Sequence, residues 1–155
     1  MNNLGAFAIP QKCEIPEGAY GVWQIPELNV IIPLYEGNNA TAQKIIDKEN
    51  SACIEKFGVG RIIEDHADSK SNKGKGSWDL WKVHPDDVAF LVTKNGTISY
   101  SCIQISRVKV HSNGFSLDGT RLYPRLYTDI FCVGCANPQG TENYLAVFKQ
   151  TGKLP

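Results

Sequence analysis

The sequence has no excess of charge of either sign: 16 Lys and Arg stand against 16 Asp and Glu. That balance removes the electrostatic footprint of a nucleic-acid or anionic-membrane binder. A long apolar run is missing too. Val30 to Leu34 is broken by Pro33, and a membrane-spanning helix needs about 20 residues. Met1 to Pro10 has no basic stretch and only a short apolar segment, which is not the pattern of a secretory signal. Internal repeats and low-complexity tracts are absent, so collagen-like and coiled-coil architectures drop out. Cysteine is sparse. Cys13, Cys53, Cys102, Cys132 and Cys135 are odd in number and lack the dense framework of a small disulfide scaffold. At least one thiol is free or pairs outside the chain, and the redox compartment stays open.

What is present is an ordinary globular composition. Over 155 residues, 42% are hydrophobic and 21% charged, which is room for one domain that folds without a disulfide or a metal. No cofactor is expected and no metal-ligand set is assigned. The first third carries Ile9-Pro10, Ile15-Pro16, Ile25-Pro26 and Ile32-Pro33. Each Pro lacks a donor and pushes its predecessor to an extended conformation, so residues 5–35 read as edge strands and turns. From Asn38 to Phe57 the spacing of Ala42, Ile45, Ile46, Ala52, Cys53 and Phe57 predicts helical segments, split near Asn50-Ser51. From Arg61 onward the pattern is β. Strands are expected at Arg61–Glu64, Val88–Thr93, Thr97–Val110, Leu126–Val133 and Tyr144–Lys149. Lys94-Asn95-Gly96 and Asp118-Gly119 are turn signals, and Asp68 to Ser77 is a polar loop. Trp78, Trp81 and Phe90 are expected in the core. The short strands, regular turns and one helical insertion predict a mainly β fold, a closed or nearly closed barrel with one or two short helices.

The reactive inventory is three histidines and five cysteines. His66 follows a strand, in Glu64-Asp65-His66, and Cys135 ends one, in Phe131-Cys132-Val133-Gly134-Cys135. A thiol beside an imidazole can become a thiolate, the nucleophile of thioester chemistry. Spacing alone leaves the other reading open, a loop histidine and a small buried thiol. Cys132 and Cys135 form C-x-x-C, which can be a redox pair or half a zinc site. The βαβ setting of a redox pair is missing, and no second short-spaced pair completes a zinc site. His84 and His111 read as turn residues. Lys70, Lys73 and Lys75 read as a solvated loop. Asn39-Ala40-Thr41 and Asn95-Gly96-Thr97 fit glycosylation acceptors, relevant only in a eukaryotic secretory route.

In order along the chain, these segments resemble a sortase. Ile25-Pro26-Glu27-Leu28-Asn29-Val30-Ile31-Ile32-Pro33-Leu34-Tyr35 is similar to the family's opening strands. Ile62-Ile63-Glu64-Asp65-His66 resembles the strand ending in its histidine, and Trp81-Lys82-Val83-His84-Pro85-Asp86-Asp87-Val88 the stretch that follows. Thr128 to Cys135 resembles the strand of the Thr-Leu-x-Thr-Cys motif, with Leu145-Ala146-Val147-Phe148 in the next. The likeness spans about residues 21–150 of a single domain over 1–155, with 1–20 as an N-terminal extension. It implies a closed eight-stranded barrel and a cysteine transpeptidase, a transferase or hydrolase of the Gram-positive cell wall. Its partner would be a peptide or protein with a C-terminal sorting-type signal. Its location would be extracytoplasmic or at the cell surface, with any membrane contact made by a segment outside this chain. Carried over, Cys135 matches the nucleophile and His66 the histidine. The sequence departs from the motif at Phe131-Cys132-Val133-Gly134. The family's arginine after the Cys is also missing, its place held by Tyr144 with Asn143 before it. Tyr144 or Asn143, with backbone N–H groups near Ala136, are then the expected oxyanion or substrate donors, and Asp65 has a minor orienting role. The alternative is a catalytically inactive module of the same fold that binds a peptide or protein.

Overall fold

A computed structural model of the chain describes residues 8–66 and 79–154. The polar loop Asp68–Ser77 with its three lysines, and Trp78, lie outside the described residues. The strands are β1 (Gly21–Ile25), β2 (Val30–Glu36), β3 (Ala52–Phe57), β4 (Gly60–Glu64), β5 (Val88–Thr93), β6 (Gly96–His111), β7 (Gly114–Leu117), β8 (Thr120–Leu122), β9 (Ile130–Cys135) and β10 (Glu142–Leu154), with one helix, α1 (Ala42–Ile46), between β2 and β3. Hydrogen bonding follows the order β10-β9-β4-β3-β2-β1-β5-β6, and β6 pairs back onto β10. The sheet therefore closes into the expected eight-stranded barrel, leaving no free edge among those strands. The β7–β8 hairpin extends from the far end of β6.

Side chains from the strands fill the barrel. Trp23 on β1 is fully buried and meets Tyr100 and Phe148 with ring centroids 5.4 and 5.3 Å away, separations at which aromatic pairs add to burial. A second, smaller core forms on the outer face, where Ile62, Phe131, Val133, Leu145 and Val147 pack with Val108 and Phe115 near the β7–β8 hairpin. Strand β9 serves both. Ile130 and Cys132 face the barrel interior while Phe131 and Val133 face the outer core, because successive strand side chains alternate. That double burial is why β9 is an unbroken apolar run.

Three expectations change. The helical reading of Asn38–Phe57 holds only for Ala42–Ile46; Ala52–Phe57 is strand β3. Asp47 closes α1, and Asn50 in the left-handed region (φ 56°) turns the chain before β3. The chain then pairs in parallel with β2 and antiparallel with β4, so cross-strand pairing overrides a weak local period. Trp81 is half exposed rather than core. The 3-10 turn Leu80–Lys82 turns Leu80 inward, and Lys82 lies over the Trp81 ring at 5.2 Å. The strand expected from Leu126 starts at Ile130, because the preceding turn is organised by Asp129. Its Oδ2 accepts the Arg125 and Leu126 N–H groups, each at 3.0 Å, and Lys149 Nζ lies 2.9 Å from Oδ1. Gly60 is needed opposite this turn, since a Cβ there would sit 2.7 Å from Asp129 O.

Asp129 is almost wholly buried. Asp129→Ala is expected to cost about 3 kcal/mol, because it strands two backbone donors and the Lys149 ammonium. Asp129→Asn keeps an oxygen for the turn and should cost less. Urea midpoints of the two variants check this order, and equal midpoints would refute it.

Candidate active site

Strands β4 and β9 run parallel, with Glu64 opposite Val133. The ladder continues through Asp65, whose N–H donates to Val133 O at 3.3 Å. His66 and Cys135 each stand two residues beyond the Glu64–Val133 pair. On strands about 4.8 Å apart, this register brings the two chain positions side by side at one end of the barrel. Cys135 is exposed and its thiol is free. The His66 ring is engaged by α1: its Nε2 lies 3.2 Å from Oδ1 of Asp47, which caps the C-terminus of that helix. Among the described residues, no hydrogen bond joins His66 to Cys135.

On the other flank, β10 pairs Asn143 with Cys135 and Tyr144 with Gly134. Asn143 thus shares a face with Cys135, and both line a cavity of about 560 Å³. Tyr144 points elsewhere. It packs against the barrel-interior cluster and sits opposite Arg107 of β6, whose Nε is held 2.7 Å from Glu142. The Ala136 N–H donates to Glu142 O at 2.8 Å, so it is engaged in the hairpin instead of facing an oxyanion. Asn137 orders that hairpin, its Oδ1 accepting the Thr141 and Glu142 N–H groups at 3.0 and 3.2 Å.

Cys132 is buried in the barrel on the opposite face from Cys135. Burial and the nearby Cys102 push its thiol well above the ordinary range. With all five thiols free, the C-x-x-C pair does not form a disulfide here. His84 is an exposed turn residue, its N–H donating to Asp87 Oδ2 at 2.8 Å. His111 ends β6 rather than occupying a turn; its Nε2 is 2.7 Å from Ser116 Oγ and it too borders the cavity.

The cavity also holds residues that the sequence reading passed over. Cys53, Glu55 and Glu64 present ligand-capable atoms within 4.8 Å of one another, and both glutamates line the cavity. Burial, with the adjacent Glu55 carboxylate, pushes Glu64 up to about 8. Burial and the same two carboxylates push Cys53 up to about 12. Asp65, 3% exposed, is pushed up to about 8 by burial, although its Oδ1 accepts the His66 N–H at 2.8 Å. The signal was available, for Cys53 and Glu55 alternate along a strand, but a helical reading of that segment scatters them around a helix. Asp47 was hidden for the same reason that most loop contacts are, since only the fold brings it to His66.

No protein-family model and no curated protein matches the chain. Solved structures do. Sortase C of Streptococcus pneumoniae superposes with a TM-score of 0.67 at 16% identity, over 90% of this chain and 73% of that one. Sortase E1 of Streptomyces coelicolor, solved with a tripeptide in its active site, gives 0.64 at 16% over 92% and 94%. Sortase C of Clostridium perfringens, solved with the C-terminal cell wall sorting motif, gives 0.61 at 21% over 88% and 73%. Barrel closure, strand order and these superpositions together establish that this chain has the sortase fold.

Proposed function

We propose that this chain is a sortase-like cysteine transpeptidase or peptidase that acts on an extended peptide through Cys135 and His66. The observation that carries the reading is the parallel β4–β9 register, which brings the His66 chain position beside Cys135, and Cys135 lines the cavity. With Nε2 of His66 occupied by Asp47, Nδ1 is the nitrogen left for Cys135. His66 takes the thiol proton, and the thiolate attacks the peptide carbonyl to form a C–S bond. The imidazolium returns the proton to the leaving amine as the C–N bond breaks. An incoming amine or water then attacks the thioester, gives its proton to His66 and releases Cys135. The substrate would carry a C-terminal sorting-type signal and be met outside the cytoplasm or at the cell surface. Among the described residues, no helix is long and apolar enough to cross a membrane.

Thiol alkylation with peptide mapping tests the dyad. Cys135 should label fastest, and His66→Ala should slow it at neutral pH while leaving Cys13 unchanged. Cys53 and Cys102, buried and pushed up to about 12 and 11, should lag far behind. Equal rates for Cys135 and Cys102, or no effect of His66→Ala, would refute the dyad. The second reading, a peptide-binding module without chemistry, draws on the Asp47-held His66 ring and the engaged Ala136 N–H. Retained peptide binding by wild type and Cys135→Ala, with no turnover by either, is the result that would select it.

A further inference from the structure

The floor of the cavity is acidic where a peptide would pass. Glu64 and Val133 are register partners, and Val133 and Cys135 share a face of β9. Two residues along and one strand across place the Glu64 backbone about 8 Å from that of Cys135. Glu55 joins Glu64 from β3, and Oε2 of Glu55 is enclosed with no hydrogen-bond donor. Asp65, nine-tenths buried and lining the same cavity, likewise has an Oδ2 with no donor. Lys56 also lines the cavity, yet none of the ion pairs of the described residues involves Glu55, Glu64 or Asp65. Glu55 keeps an oxygen without a donor, and no positively charged side chain of the described residues pairs with either glutamate.

We propose that Glu55 and Glu64 form a subsite for a cationic side chain, lysine or arginine, two or three residues from the peptide bond that Cys135 attacks. The proposal rests on the peptidase reading for its substrate and on the cavity alone for its charge preference. An extended peptide advances about 3.3 Å per residue, so a span of about 8 Å selects that separation. A charged ammonium or guanidinium would supply the missing donors to both carboxyl groups. A divalent metal fits less well. Cys53 is wholly buried beneath Gly37, where a Cβ would sit 2.6 Å from Sγ, and its thiol stays protonated, which leaves two carboxylates as ligands.

The test uses Cys135 as its own reporter. The full chain is treated with 2-aminoethyl, 6-aminohexyl and 2-sulfonatoethyl methanethiosulfonate, and labelling of Cys135 is timed by mass spectrometry. Rates are normalised to those with free cysteine. The amines should react about tenfold faster than the sulfonate, the scale expected for one charge near a partly buried acidic pair. The preference should drop to less than about twofold in the isosteric Glu55→Gln/Glu64→Gln variant, with melting curves confirming that it folds. An unchanged preference in the folded double variant overturns the proposal. So does tight zinc binding, in a titration with zinc chloride, that requires Cys53 and occurs without an amine preference. Because the reagents need only a thiol, this result is independent of peptide turnover. An amine preference in a chain with no detectable turnover would keep the subsite and reject the enzyme.

Discussion

Stability is expected to fall as pH rises from about 4 to about 8, the reverse of ordinary acid denaturation. Asp65 moves from 3.8 to about 8 and Glu64 from 4.5 to about 8 on folding, each chiefly through burial. Both folded values lie above the unfolded ones. Between the two, the folded chain keeps a proton that the unfolded chain has released, so each step up in pH favours unfolding. The contribution is complete below the unfolded values and gone once pH passes the folded ones. At 1.36 kcal/mol per unit, the loss is on the order of a few kcal/mol per group. Urea unfolding should therefore show a higher midpoint at pH 5 than at pH 8.5. Glu64→Gln and Asp65→Asn, which keep shape and remove the charge, should each flatten the profile and raise the alkaline midpoint. A wild-type profile flat across this window would show that neither acid is held neutral.

Replacing Asn143 with arginine is expected to do more for catalysis than replacing Tyr144. Standard Leu-Pro-x-Thr-Gly peptides should be turned over poorly by the wild-type chain, since the arginine that the sortase resemblance leads one to expect is missing. Removing one preorganised donor of that kind costs about 100- to 1,000-fold in rate. The register decides where a substitute belongs. Asn143 is paired with Cys135 and lines the cavity, whereas Tyr144 packs toward the barrel interior. A guanidinium at 143 would offer a charged fork of donors on the nucleophile's own face. Asn143→Arg should raise amine-dependent transpeptidation well above wild type, and Tyr144→Arg should leave it unchanged or lower it by disturbing packing. Steady-state rates on a panel of sorting peptides with a free amine acceptor check both. Robust wild-type turnover would mean that this site works without the arginine. A larger gain from Tyr144→Arg would mean that the face assignment is wrong.

The sequence by itself determined the strands that carry strong local signals. Val88–Thr93 and its hairpin to the next strand follow from alternating apolar residues around Asn95-Gly96, and the described part of the Pro-rich segment, residues 8–35, has no helix longer than a 3-10 turn. It also determined that Cys132 and Cys135 face apart, because the strand period is two. A barrel was legible because short strands with tight turns have few ways to bury their faces, and the number of eight came with the resemblance to sortases. Tertiary structure decided the rest. Ala42 to Phe57 contains both a helix and a strand, and only pairing with β2 and β4 separates them. The approach of His66 to Asp47 and of Glu55 to Glu64 depends on which strands become neighbours. So does the choice between Asn143 and Tyr144, which a shift of one residue in the β9–β10 register would reverse. Local chemistry sets what each segment can form. Which side chains meet at a site is set by register across strands distant in sequence, and that is a property of the closed barrel as a whole.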